Sequence, residues 1–401
     1  MLSFEWLPNG PPQLSLLSTL AVLLLAGSLT LKALVSRLRL PEATALTLCG
    51  MALGPTGLGL IEPSKIPGLT VLADLCIGLV LFELGHRFDW RWLVLERAAL
   101  RTSVSQALGV FLACLCLLLM LGYSIALSML IAAALSTSSP VVGLRASQEL
   151  RSEGQVTERL LHSLVIHCVT GFTLLLISIQ LLHMTQSESI VSAVIESIYW
   201  VIGSALVGFL LARIIQWAAT HLGSQRGIQL LLVLGVVALV VELSGALELS
   251  ALIALLVFGI ASRGKGRRIQ LRGIEDPSLR LVTFCFIFVY LGLAIPVQWS
   301  FEFLAISLLL MSVRLVALCL IGVTSYRANR LPLRHSIAWS VAAMPIAGIS
   351  VLLLGQVDRM YPMVQPGLDA IVGPILLASL IIGPILVRWG LRHSGEASTD
   401  D

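Results

Sequence analysis

Apolar runs long enough to cross a membrane recur along the whole chain and alternate with short polar turns. A membrane-crossing helix needs about 20 predominantly apolar residues. The first run follows MLSFEWLPNGPPQ, which lacks the basic residues and the cleavage site of a signal peptide, so we expect this run to be retained. The pattern predicts thirteen membrane helices, at residues 14–35, 41–60, 69–86, 99–121, 124–147, 157–182, 189–213, 227–243, 247–262, 278–296, 302–325, 334–356 and 366–390.

The composition excludes a soluble globular domain. Apolar residues make up 57% of the 401 residues and charged residues 12%, and the mean hydropathy is +0.96, whereas soluble domains carry about 25% charged residues. The basic residues are spread over short turns, so we expect a lipid bilayer and no nucleic acid as partner. The seven cysteines form no CxxC pair and are expected to be reduced packing residues. The predicted fold class is an all-α polytopic membrane protein.

The lysines and arginines predict the orientation of these helices. If the N-terminus is outside, all but three of the 26 basic residues fall on the inner side. The exceptions are Lys65 and Arg359 in outer turns and Arg314 within a span. Cytoplasmic turns are enriched in Lys and Arg, so the pattern predicts an outer N-terminus and an inner C-terminus. We expect the bacterial inner (cytoplasmic) membrane as the location.

Two prolines at matched positions indicate an internal repeat. Pro140 interrupts the fifth span in STSSPVVGL, and Pro345 interrupts the twelfth in AAMPIAGISVL, 205 residues later. At this offset spans 1–6 (about 14–182) overlay spans 8–13 (about 227–390), with span 7 (about 189–213) as a linker. The two halves start on opposite sides of the membrane, so the repeat is inverted, as in secondary transporters. We expect one transmembrane transporter domain over 1–401, without a soluble C-terminal regulatory domain.

The residues around these prolines predict two discontinuous helices that cross. A helix can be interrupted at membrane depth only where the freed backbone groups line a cavity or are buried in protein, and the ends of half-helices there bind ions. The alternative for a single proline is a kink repaired by neighbouring hydroxyl groups. We predict non-helical segments around 136–141 and 344–348. The candidate ion-binding residues of the first break are Thr137, Ser138 and Ser139, next to Pro140.

Three stretches resemble a known family. LCGMALGPTGLGLI, LADLCIGLVLFELGHRFDWRWL and SSPVVGLRASQELRSEGQVTERLLHSL are similar to the monovalent cation:proton antiporters, in the Kef-type and sodium/proton exchanger branch. The resemblance covers nearly the whole chain. It implies a dimerisation domain and a core domain with two crossed discontinuous helices, elevator-like alternating access, and a homodimer.

The chain departs from the family pattern at its central acid. About thirty residues after the break, the family carries a pair whose second member is the acid that binds the ion and the proton. His167-Cys168 occupies this place, so Cys168 replaces the acid. His167 is then the leading candidate for the titrating group, because imidazole changes charge near neutral pH. Ser163 lies one helical turn before it. The alternative is a neutral histidine bonded to a neighbouring carbonyl.

Two charged residues at membrane depth complete the candidate site. Arg314, in LLLMSVRLVAL, lies in the middle of its span and should face protein or water rather than lipid. The resemblance assigns it to a helix where the family carries a basic residue that pairs with the core acids. Asp74 lies early in the third span, where the family often has an acid or amide. Structural helix pairing is the alternative for Asp74.

Three functions remain open at this point. The first is a secondary-active solute:proton antiporter, exchanging monovalent cations for protons or a diverged version of this, with His167 as the titrating group. The second is an anion transporter that uses Arg314. The third is a non-transporting sensor or scaffold. We expect no enzyme activity, no cofactor and no metal, since the sequence shows no P-loop, dinucleotide-binding glycine motif or hydrolase triad. The expected ligands are small inorganic ions and protons.

Overall fold

The structure, a computed structural model, describes residues 16–35, 40–87, 95–184, 190–222, 226–263, 277–295, 300–347 and 365–397. Over these ranges the regular structure is helical, and nine helices are long and apolar enough to cross a membrane. All seven cysteines are free thiols in the described residues. The observed class is therefore an all-helical polytopic membrane protein.

Each predicted span overlaps one helix of the described residues or, for the fifth span, two. The number of membrane crossings and the orientation stay predictions, since several of the helices are short. The α-helices in chain order are α1 (Leu16–Thr30, continued by a π-helix at Leu31–Val35), α2 (Glu42–Leu53), α3 (Ile66–Arg87), α4 (Arg97–Met120), α5 (Ile125–Ser136), α6 (Pro140–Glu149), α7 (Gln155–Met184), α8 (Ile190–Leu222), α9 (Arg226–Ala246), α10 (Ala251–Ser262), α11 (Pro277–Ala294), α12 (Phe301–Ser325), α13 (Leu333–Ala342) and α14 (Gln365–Ser394).

The fifth span is broken where the sequence predicts it. Residues 137–139 are extended, and α6 starts at Pro140, whose missing N–H and fixed φ suit the first position of a helix. The Ser139 hydroxyl caps α6 by accepting the N–H of Val142 (3.4 Å). The break is therefore encoded locally by a serine cap followed by proline.

The helix of the twelfth span ends at Ala342, and the non-helical segment after it contacts the first break. After α13 the chain is non-helical over 343–347, and the remainder of the predicted span lies outside the described residues. Ser139 donates its N–H to the Pro345 carbonyl (2.7 Å), and Ser138 donates its hydroxyl proton to the Ala343 carbonyl (2.7 Å). Ser138 and Ala343 are related by the repeat offset of 205. The inverted repeat itself stays a prediction.

The helices pack as two bundles. Helices α4–α7 and α12–α14 form one, called here the site bundle, and α1–α3 with α8–α11 form the other, called the support bundle. They meet mainly where α14 contacts α2, α6 contacts α3, and α7 contacts α8. Across this interface Glu42 pairs with Arg145, and the Thr44 hydroxyl donates to the Ile381 carbonyl (2.9 Å). Both breaks belong to the site bundle.

Candidate functional site

Arg314 lies at the centre of the site, fully buried on α12. Its Nε donates to the Met344 carbonyl (2.9 Å), and its Nη1 donates to the Leu135 carbonyl. Its Nη2 donates to the Ser138 hydroxyl (3.0 Å) and to the Ala343 carbonyl (3.1 Å). One guanidinium group therefore binds both non-helical segments and holds them together.

The carbonyls at these two helix ends stabilise the charge of Arg314. The last carbonyls of a helix have no intrahelical partner and carry partial negative charge. Leu135 lies at the end of α5, while Ala343 and Met344 directly follow α13, so two such ends converge on one cation. Among the described residues no ion pair joins Arg314 to an aspartate or glutamate. Backbone carbonyl dipoles thus stabilise the positive charge of Arg314, a role that the family pattern gives to a carboxylate.

The Ser138 hydroxyl connects Arg314 to His167. Its oxygen lies 3.0 Å from Arg314 Nη2, 2.8 Å from His167 Nδ1 and 2.7 Å from the Ala343 carbonyl. A hydroxyl has one proton, and the carbonyl can only accept. The Ser138 proton therefore goes to Ala343, and His167 must donate from Nδ1. This network assigns the Nδ1–H tautomer to the neutral imidazole.

The other ring nitrogen of His167 is the free basic atom of the site. His167 is fully buried, and its Nε2 has no hydrogen-bond partner. The Ser103 carbonyl of α4 lies near the ring, outside hydrogen-bond geometry to Nε2. The site can therefore accept a proton without breaking the Ser138 network.

Cys168 faces the first break through its thiol. Its Sγ lies 3.0 Å from the Ser138 carbonyl and donates to it. A carboxylate at this position would place negative oxygen against the same carbonyl, and a bound cation would stabilise the two together. With a thiol present, the carbonyl is already satisfied by a neutral donor.

Helix α7 packs closely against the break. A Cβ atom at Gly171 would lie 2.5 Å from Thr137 Cγ2 and 3.1 Å from the Thr137 nitrogen, so only glycine fits. The Thr137 hydroxyl donates to the Ala134 carbonyl (2.8 Å), which closes the end of α5. His167 and Gly171 lie one turn apart and face the same segment.

The structure brings most, but not all, of the predicted site residues together. Pro345 contributes its carbonyl to Ser139 and lies against α14, as described above. Ser163 is buried but bonds to Trp339 Nε1 (2.6 Å) rather than to the ring of His167. Asp74 belongs to the support bundle, beside Tyr290, and none of the hydrogen bonds of the described residues joins it to Arg314. Asp74 is therefore not part of the Arg314 network.

A small cleft between the two bundles borders the first break. The site bundle contributes Ser139, Pro140, Val141 and Ala347, and the support bundle contributes Ile77, Ile287, Phe288 and Leu291. An ion that reaches the break through this cleft would cross a largely apolar surface. Over the described residues no group of three His, Cys, Asp or Glu side chains is arranged to hold a metal ion.

Several functional contacts have no signal in the sequence. The carbonyls that bind Arg314 belong to Leu135, Ala343 and Met344, whose side chains are apolar. Ser379 accepts the N–H of Ile346 (2.7 Å) and fixes the second segment. The only sequence signal for this contact is that Ser379 is a serine within the last apolar run.

A match to a known family model shows which family the chain belongs to. The model of the transmembrane sodium/hydrogen exchanger family matches residues 21–392. The chain belongs to the sodium/hydrogen exchanger family. It is accordingly an integral multi-pass membrane protein and an antiporter-like transporter rather than an enzyme, which confirms these predictions.

Solved structures from the family share the fold. The sodium proton antiporter MjNhaP1 from Methanocaldococcus jannaschii at pH 8 is 17% identical, with a TM-score of 0.69 and coverage of 94% of this chain and 95% of that one. An electron-microscopy structure of MjNhaP1 gives 19% identity, a TM-score of 0.72, and coverage of 96% and 99%. At these identities the likeness concerns the fold.

One curated relative is named for the transport of iron rather than of sodium and protons. The iron transporter MagA of Paramagnetospirillum magneticum is 29% identical over 128 residues, which is 32% of this chain and 29% of that protein. The chain thus spans less than a third of the length of the relative it matches.

Proposed function

We propose that the protein is a secondary-active antiporter that exchanges a monovalent cation for a proton, and that His167 carries the proton. The observation that supports this most directly is the contact chain His167–Ser138–Arg314 at the crossing of two interrupted segments. Imidazole is the side chain whose charge changes near neutral pH. His167 provides this group beside the position where the family pattern has its acid.

Electrostatic exclusion supplies the coupling in this proposal. His167 Nδ1 and Arg314 Nη2 both contact Ser138 Oγ, at 2.8 and 3.0 Å, so protonation brings a second positive charge close to Arg314. Two unit charges about 5 Å apart interact by about 3 kcal/mol at an effective dielectric constant of 20. A proton on His167 and a metal cation beside Ser138 would repel each other similarly. Binding of one therefore disfavours the other, which is the requirement for exchange.

Oxygen atoms at the break are the proposed cation ligands. Thr137 and Ser139 present hydroxyl groups at the break. The Ser138 hydroxyl accepts from both Arg314 and His167, so it could join them as a ligand only by releasing one of these partners. Oxygen ligands suit alkali and other hard cations. The family and the sodium proton antiporters that share the fold support a monovalent cation.

Movement of the site bundle against the support bundle is the proposed transport step. The breaks lie in one bundle, and the cleft beside them lies between the two. An elevator-like displacement would carry the bound ion while the support bundle stays fixed. We extend the proposal to a homodimer in the bacterial inner membrane, with the N-terminus outside.

A second candidate function is anion transport. The hydrogen bonds of Arg314 in the described residues go to neutral acceptors, so the network has a net positive charge. Such a site would attract a small anion, and the N-terminal end of α6 would add favourable partial charge. Protonation of His167 would then strengthen anion binding instead of opposing ion binding.

Flux measurements on proteoliposomes separate these functions. A pH gradient is imposed, and sodium, potassium, lithium, chloride and bicarbonate are added in turn to wild type, Cys168→Asp and Cys168→Ser. We expect cation-dependent dissipation of the gradient in wild type and a stronger cation dependence in Cys168→Asp. Cys168→Ser is the matched control, since it keeps a neutral donor to the Ser138 carbonyl. Dependence on the anion alone would establish the second candidate, and no flux in any variant would favour a sensor or scaffold.

A further inference from the structure

A set of buried polar side chains runs through the site bundle, away from the cleft. Its members lie on α4, on α7, and on the segment from Asn329 into α13, and each is nine-tenths or more buried. We call this set the polar tract: Thr102, Ser103, Gln106, Ser163, Asn329, Ser336 and Ser340.

Hydrogen bonds link most members of the tract in two groups. Gln106 Nε2 donates to the Ser340 hydroxyl (3.0 Å) and to the Leu318 carbonyl (3.1 Å). Ser340 in turn donates to the Ser336 carbonyl (2.8 Å). Thr102 lies one turn before Gln106 on α4 and accepts from Asn329 Nδ2 (2.8 Å). The two groups thus lie one helical turn apart along α4.

The tract begins at His167. The Ser103 carbonyl lies near the imidazole ring. Ser163, one turn before His167 on α7, accepts the indole N–H of Trp339 (2.6 Å), and Trp339 is the neighbour of Ser340. The proton-binding ring is therefore next to the tract on two sides.

The tract ends at the surface where α4 and α7 begin. Arg159 Nη1 donates to the Asn329 carbonyl (2.9 Å), and its Nη2 pairs with Glu96 (2.8 Å). The side chain of Glu96 is 39% exposed. Solvent thus meets the tract at an acidic residue.

Four atoms along this line are buried without a hydrogen-bond partner. They are Gln106 Oε1, Asn329 Oδ1, Ser336 Oγ and His167 Nε2. Buried polar atoms in folded proteins are nearly always paired, and where protein atoms do not suffice the partner is ordered water. We propose that the polar tract binds a file of ordered water molecules that conducts protons between His167 and the Glu96 surface. The proton-conducting part rests on the proposed function of His167, whereas the water binding does not.

Proton transfer by exchange of hydrogen bonds makes such a file selective. Arg314 lies at one end and Arg159 at the other, but a positive side chain disfavours protons and metal cations alike, so the fixed charge does not discriminate between them. Protons can pass along hydrogen-bonded water by exchange of bonds. The cation and the proton would then reach the site by separate routes, the cation through the cleft between the bundles and the proton through the site bundle.

Hydroxyl-radical footprinting tests the water directly, on the full-length protein in lipid nanodiscs. Radicals form from water wherever it is bound, so a fully buried side chain is oxidised only if water contacts it. Trp339 beside the tract and Phe258 in the support bundle are both fully buried. Trp339 is not a member of the tract but reports on it, because its indole N–H donates to Ser163. We expect oxidation of Trp339 and none of Phe258, and loss of most Trp339 oxidation in Gln106→Leu. Ser336→Val, which removes an unpartnered hydroxyl and breaks no observed side-chain bond, gives a second variant should Gln106→Leu fold poorly.

Transport of the same variants tests the proton path. A dried tract should slow pH-driven flux several-fold while His167 is still present. An unlabelled Trp339 in wild type would overturn the water binding. Unchanged flux in a variant that has lost Trp339 labelling would overturn proton conduction. If His167→Gln leaves flux unchanged, the proposed function fails instead, and the footprinting result is unaffected.

Discussion

Replacement of Arg314 by alanine should destabilise the fold and remove the ion preference of the site. The Leu135 and Met344 carbonyls have no other partner in the described network, so they would be buried without a donor. Each unpaired buried acceptor costs about 1–3 kcal/mol, which gives a loss of about 2–6 kcal/mol in the free energy of unfolding. Ser138 and Ala343 still bond to each other and add less.

Arg314→Lys separates charge from geometry. Lysine keeps the positive charge, but a single ammonium cannot match the planar guanidinium that reaches both helix ends. We expect about half the loss of stability seen in Arg314→Ala, and partial retention of flux. Arg213→Ala is the matched control, since Arg213 is an exposed arginine on α8.

The assay combines denaturant unfolding in detergent with flux in proteoliposomes. Arg314→Ala with wild-type stability, wild-type flux and wild-type ion preference would refute the reasoning. The buried network would then neither stabilise the fold nor determine the ion preference of the site. Loss of stability with an unchanged ion preference in the folded fraction would assign Arg314 a structural role only.

Two further perturbations follow from the packing. Gly171→Ala should abolish most flux, because its Cβ would lie 2.5 Å from Thr137 Cγ2, whereas Gly235→Ala on α9, where a Cβ meets nothing within 4 Å, should transport normally. Equal flux in the two variants would show that the approach of α7 to the break is unimportant. A disulfide between cysteines at Thr44 and Ile381, which join the two bundles by a hydrogen bond, should stop transport and reduction should restore it. Full activity of the cross-linked protein would exclude relative movement of the bundles at this point.

The helices could be predicted from the sequence because the bilayer dictates the length of an apolar run. Each predicted span contains helix in the described residues. The first break could be predicted as well, because Ser139 and Pro140 are a local signal for a new helix start. The family could be recognised from three stretches and is confirmed by the match over residues 21–392.

The partners of Arg314 could not be predicted. They are backbone carbonyls on two segments that lie far apart in the chain. The type of a residue does not indicate what its backbone carbonyl binds. Asp74 lies on α3 in the support bundle, and its role at the site stays a prediction. Gln106, in contrast, could have been noticed as an amide within an apolar run.

The pH dependence of flux in His167→Gln tests the central claim most directly. Glutamine keeps hydrogen-bonding capacity toward Ser138 but cannot take up a proton near neutral pH, so the folded variant should lose proton-coupled flux and its dependence on pH. His221→Gln, at an exposed histidine of α8, should behave as wild type. Proteoliposomes with both variants, compared from pH 5 to pH 8, supply the measurement. An unchanged pH profile in His167→Gln would contradict the account and leave His167 as a packed, neutral histidine.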